Sequence, residues 1–120
     1  LKKGLTSMPE TWDAMMDGYQ SLNHCMLGHI MEWLPAYVGG IRQEPRTVGW
    51  RRVIIAPNPG ELREVEASLL TPRGKIVSRW KATGRKRLLQ TELPRGVSGT
   101  AILPSGKRVE IGAGQHTVND

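Results

Sequence analysis

Apolar residues recur at helical spacing in the first third of the chain, and beyond Gly40 the period shortens to that of strands. From Leu22 to Leu34, the residues Leu22, Met26, Leu27, Ile30, Met31 and Leu34 fall three and four apart, which gathers them on one side of an α-helix. The spacing predicts a helix with one buried face. Ser21 or Asn23 can supply the side-chain oxygen that caps its first amides, and Pro35 with Gly39-Gly40 marks its kink or end. Upstream, Pro9–Met16 offers a shorter helical turn. Pro9 suits the first helical position, where its missing N–H would be unpaired anyway, and Asp17-Gly18 breaks the turn.

After Gly40, glycines and prolines punctuate short β-branched runs at the interval of a meandering antiparallel sheet. Strands are predicted near Trp50–Ala56, Leu62–Leu70, Lys75–Ala82, Lys86–Leu93, Val97–Leu103 and Lys107–Ile111. Thr71-Pro72-Arg73-Gly74 places proline where φ is pre-set and glycine where φ can turn positive; Thr83-Gly84 and Pro104-Ser105-Gly106 do similar work. Within Lys75–Ala82, alternation turns Ile76, Ser78, Trp80 and Ala82 one way and Lys75, Val77, Arg79 and Lys81 the other. One side should be packed around Trp80 and the other mostly wet. The stretch between Gly39 and Trp50, with Gly39-Gly40, Pro45 and several charges, has the composition of a linker between packed units. No repeat of solenoid period and no low-complexity tract is present.

Composition sharpens this division. There is no Phe among the 120 residues, so the large apolar side chains are Trp12, Trp33, Trp50 and Trp80, two in each half. The net charge of +6 is uneven: residues 1–40 carry two lysines against four acids, while the remainder carries 15 basic and 7 acidic residues, a net +8. A basic half invites a polyanion reading. Acids interleaved among the cations, and the lack of an aromatic ladder for stacking bases, favour a solvated basic face instead. No nucleic-acid partner is expected. Cys25, the only cysteine, excludes an intrachain disulfide and any multi-cysteine zinc site. No run is long and apolar enough to span a bilayer, so no membrane partner is expected. A start at Leu-Lys-Lys-Gly, without Met, reads as a cut in a larger protein and leaves the compartment open between cytoplasm and periplasm or secretion in a bacterium.

Candidate chemistry concentrates near the N-terminus. Glu10 lies between Pro9 and Trp12 at the start of a helical turn, where backbone amides favour its ionised form. A carboxylate beside an indole suits a sugar site, since sugars present C–H faces to aromatic rings and a carboxylate can take a proton from attacking water. A helix-start glutamate stabilised by the dipole fits the same residues equally simply. Asp13 and Asp17 have only that plainer reading. His24 lies off the Leu22/Met26/Ile30 stripe and can point toward a cavity or serve as a satisfied structural side chain. Cys25, His29 and Glu32 share one helix face at spacings of four and three but need a further donor to hold a metal, and none is expected. Neither a phosphate-cradling loop nor a nucleophile elbow is present.

Three stretches, in order, match one family pattern. Leu1-Lys2-Lys3-Gly4-Leu5-Thr6-Ser7-Met8-Pro9-Glu10-Thr11-Trp12-Asp13 resembles the Gly-Ala-Thr-Thr-x-Trp-Glu-x-Trp-Asp stretch of the α-L-rhamnosidases of glycoside hydrolase family 78. Ser21-Leu22-Asn23-His24, Gly28, Glu32-Trp33-Leu34 and Gly39-Gly40-Ile41 resemble their Ser-x-Asn-His-x-x-x-Gly helix and its close. Thr71-Pro72-Arg73-Gly74-Lys75-Ile76 with Trp80-Lys81 is similar to the Ser-Pro-x-Gly turn and Trp-containing strand of the family's C-terminal β-sandwich. Pro9 departs from a family Trp, and Pro35 interrupts what is usually an aromatic-rich helix. A related barrel enzyme for a different deoxysugar or a uronate is the variant reading these departures leave open.

The resemblance implies an α+β chain by segment: residues 1–40 as terminal helices of an α/α six-hairpin barrel, incomplete here, and residues 41–120 as an accessory antiparallel β-sandwich. It implies hydrolysis of terminal α-L-rhamnosyl bonds with inversion in the full-length enzyme, with Glu10 as general base and Trp12 and His24 around the rhamnose. No cofactor is implied. The implied partners are a rhamnose-containing oligosaccharide or glycoside and the remainder of the barrel; this chain alone should be inactive. An apolar helix stripe without that barrel also leaves room for an oligomer. The alternative is a basic β-sandwich that binds polyanions or carbohydrate without catalysis.

Overall fold

The computed structural model describes residues 29–120. The expected turn at Pro9–Met16 and the first part of the Leu22–Leu34 helix lie outside the described residues. Two compact units divide the chain, Leu1–Glu32 and Trp33–Asp120, and the second contains all the strands described below.

A single α-helical turn, α1 (Ile30–Trp33), leads into a π-helical stretch, Leu34–Val38. Pro35 cannot donate a backbone hydrogen bond, and the stretch closes instead with the Gly39 N–H donating to the Leu34 carbonyl five residues back, at 2.9 Å. Proline here marks a change of helix type, and the end comes at Gly39-Gly40. Gly40 has φ 76°, and a Cβ there would stand 2.1 Å from the Ala56 carbonyl carbon, so no larger residue fits. Of the apolar stripe, Ile30, Met31 and Leu34 are exposed, and α1 holds no buried residue.

Eight strands follow: β1 (Ile41–Gln43), β2 (Arg52–Ile55), β3 (Glu64–Thr71), β4 (Gly74–Thr83), β5 (Lys86–Leu93), β6 (Ser98–Ile102), β7 (Arg108–Ile111) and β8 (Gly114–Asn119). They form two four-stranded sheets, ordered β1-β2-β6-β7 and β3-β4-β5-β8, which pack as a β-sandwich. Six strands overlap the predicted runs. The two others correct the sequence reading: β1 lies inside the stretch read as a linker, with Ile41 buried in the core, and β8 falls in a polar tail where no strand was expected.

The expectation of a wholly antiparallel sandwich is also corrected, because β2 and β6 pair in parallel, Arg52↔Ser98 through Ile55↔Ala101. Every other strand pair is antiparallel. Parallel neighbours need a long crossover. Here β3, β4 and β5 supply it by crossing to the opposite sheet before the chain returns as β6. The close parallel contact relies on Gly99, whose Cβ would stand 2.0 Å from the Val53 carbonyl oxygen.

The core lies between the sheets. Ile41, Val53, Ile55, Ala101 and Ile111 come from one, and Ile76, Trp80, Leu89, Leu93 and Val118 from the other. Trp80 is 3% exposed, as its place in the alternation predicts. Burying each such large side chain contributes about 1.5–3 kcal/mol. The alternation in β4 holds for Lys75, Arg79 and Lys81, which are exposed, but Val77 in the same outward row is buried. Its ladder partner there is the half-buried Glu92.

The turns behave as their residues require. Gly74 takes φ 121°, the Thr71 hydroxyl donates to the Gly74 carbonyl at 2.8 Å, and the Arg73 N–H donates back to the Thr71 hydroxyl at 3.2 Å. Gly84 and Gly106 also have positive φ.

Candidate functional site

Glu10, Trp12 and His24, the residues singled out for catalysis and sugar binding, lie outside the described residues, as does Cys25. The geometry therefore neither joins nor separates them. His29 and Glu32 are exposed, and among the described residues no group of three or more His, Cys, Asp or Glu side chains could hold a metal. No described helix is long and apolar enough to cross a membrane.

On the outer face of the first sheet, Arg52 of β2 bridges two carboxylates: its Nε lies 2.6 Å from Glu44 Oε2, and a terminal guanidinium nitrogen lies 3.1 Å from Glu110 Oε2. The Thr100 hydroxyl of β6 donates to the other oxygen of Glu110 at 2.6 Å. That hydroxyl, followed by Arg52, holds the Glu110 carboxyl below its ordinary range, while Glu44 and Glu110 raise the already high pKa of Arg52. A general acid needs a raised carboxyl pKa, and here the shift is downward. The cluster is a surface clamp across β2, β6 and β7.

Two depressions flank Arg87 at one end of the sandwich. The first, about 440 Å³, has a largely apolar wall of Pro57, Pro59, Leu62, Ile102 and Pro104, with Asn58, Glu61, Arg63 and Arg87 among its polar residues. The second, about 540 Å³, is lined by Lys81, Thr83, Arg85, Lys86, Arg87, Leu88, Asn119 and Asp120. The sequence reading took these cations as part of a dispersed basic face. The signal that could have located them is the contiguous Arg85-Lys86-Arg87 beside the Thr83-Gly84 turn, because a tight hairpin concentrates charge at its tip.

The sequence model of the bacterial alpha-L-rhamnosidase C-terminal domain matches residues 40–118, the length of the described sandwich from Gly40 to Val118. The chain belongs to this family. An α-L-rhamnosidase of Streptomyces avermitilis is 30% identical over 125 aligned positions, which cover 98% of this chain and 12% of that protein. Among solved structures, the native Aspergillus terreus α-L-rhamnosidase aligns with a TM-score of 0.78 at 31% identity, covering 92% of this chain and 14% of its own. The Streptomyces avermitilis α-L-rhamnosidase in complex with L-rhamnose aligns with a TM-score of 0.81 at 27% identity, covering 99% and 14%. The chain thus spans about an eighth of the length of these rhamnosidases.

Proposed function

We propose that this chain is the C-terminal part of an α-L-rhamnosidase, with residues 1–40 closing its α/α catalytic barrel and residues 41–120 forming the accessory sandwich. The observation that carries this reading is the alignment with the Streptomyces avermitilis enzyme over 98% of the chain, which extends well upstream of the sandwich. The substrate is a terminal α-L-rhamnosyl residue on an oligosaccharide or glycoside. Glu10 is the general base: its carboxylate takes a proton from the water that attacks the anomeric carbon. A carboxylic acid from the rest of the barrel protonates the leaving oxygen on the opposite side. An inverting pair leaves room for that water, so the two carboxyl groups should stand roughly 6.5–9.5 Å apart. Trp12 and His24 line the sugar, the indole against its C–H face and the imidazole on its hydroxyls.

Glu10→Gln in the full-length enzyme tests the assignment, because it keeps the size of the side chain and removes the proton acceptor. General-base assistance is worth about 10²–10⁴ in rate, so kcat on an aryl α-L-rhamnoside should fall by that factor with little change in KM. His24→Ala should chiefly raise KM, since hydroxyl contacts made equally in ground and transition states act on binding. Near-normal turnover by Glu10→Gln refutes the base.

A further inference from the structure

We propose that the end of the sandwich around Arg87 is a binding site for a carboxylated glycan, a uronate-containing oligosaccharide. This rests on the glycosidase reading for the choice of a sugar polymer, and on the geometry for the charge.

Lys81, Arg85, Lys86 and Arg87 converge on one depression whose only acidic lining residue is Asp120. Lys81 is engaged with Glu64 at 3.6 Å, but Arg85 and Lys86 have no ion pair among the described residues. The β4–β5 hairpin therefore holds like charges together without neutralising them, an arrangement that anions relieve. Beneath them, the Asp120 side chain is 3% exposed, and neither of its oxygens has a hydrogen-bond partner among the described residues. Its nearest cation is the Arg87 guanidinium at 3.8 Å, close enough to bias the position of that group and too far to occupy its donors. The fork of Arg87 remains available for a second carboxylate.

Arg87 also borders the neighbouring depression, where Pro57, Pro59, Leu62 and Pro104 offer ring and methyl surface. An extended chain can lay C–H faces there and carboxylates on the hairpin cations. Nucleic acid fits less well, because single-stranded recognition uses exposed rings on which bases stack. The only aromatic lining either depression is Trp80, which is buried in the core.

The test is calorimetric titration of the whole chain with three probes of equal length: an alginate hexamer, maltohexaose and hexathymidylate. The alginate hexamer should bind, with affinity falling as salt rises, and maltohexaose should not. R85S/K86S should weaken alginate binding about tenfold or more, the size of one charge-assisted hydrogen bond lost. K75S/R95S, which removes the same charge from exposed positions outside both depressions, should stay within about twofold, as expected of screened surface charges. R87K, which keeps the charge and removes the fork, should also weaken binding, so a misfolded double variant would not shield the idea. Equal weakening by the two doubles, no alginate binding, or tighter binding of hexathymidylate overturns the proposal. Turnover of a neutral aryl α-L-rhamnoside by the wild-type full-length enzyme is read separately: its absence overturns the glycosidase reading and leaves the binding result standing.

Discussion

Glu110 shows how a single residue couples the strands of the first sheet. Its carboxylate joins Thr100 on β6 to Arg52 on β2, so its ionised form is favoured in the folded state over the unfolded one. A carboxyl with a lowered folded pKa contributes stability above its unfolded value, and that contribution is lost as pH falls through the folded value. The stability difference between wild type and Glu110→Gln should therefore be present at neutral pH and shrink as the pH drops below the ordinary carboxyl value of 4.5. Urea midpoints measured across that range check it, and a difference that grows toward acid would reverse the assignment. Glu110 lies in a strand the sequence predicted, but its partners were not legible there. Arg52 is 58 residues away, and only the return of β6 beside β2 brings them together. Trp80 was legible, because alternation within one strand fixes which way a side chain points.

Elements were legible in proportion to how strongly their own residues alternate. β5 was read with its observed bounds, and β4 to within a residue at each end, because both are long and regularly patterned. β1 has three residues among glycines and charges, and β8 carries Gln115, His116 and Thr117, so neither shows a pattern of its own. Both are strands because a neighbour completes their hydrogen bonds: β1 on β2, and β8 on β5. The pairing of β4 with β5 contains one local cost. Ser78 and Thr91 face each other across the ladder, both buried, and neither hydroxyl has a hydrogen-bond partner. A buried hydroxyl without a partner is unfavourable, and valine has nearly the shape of threonine. Thr91→Val should therefore raise stability by about 1 kcal/mol, seen as a higher urea midpoint at unchanged slope. A fall of that size would mean that water or a mutual hydrogen bond satisfies the pair.

At the scale of the whole sandwich, protection should follow position in the sheets. β2, β4, β5 and β6 are paired on both sides and contribute Val53, Ile55, Ile76, Trp80, Leu89 and Ala101 to the core, whereas β1, β3, β7 and β8 are edges. Amide exchange followed by mass spectrometry should be slowest in the four central strands and faster at the edges, since opening an edge breaks one ladder and exposes less apolar surface. Uniform protection across β4 and β8 would contradict that order. The sequence by itself determined the change of period at Gly40, six of the eight strands, the three glycine turns and the inward row of β4, all of which follow from residues within one element. The parallel β2–β6 pair, the strands β1 and β8, the clamp on Arg52 and the gathering of cations around Arg87 were decided only by the tertiary structure. Each depends on residues that lie far apart in the chain or on pairing with a neighbouring strand, and no local pattern records which distant strand will lie beside which.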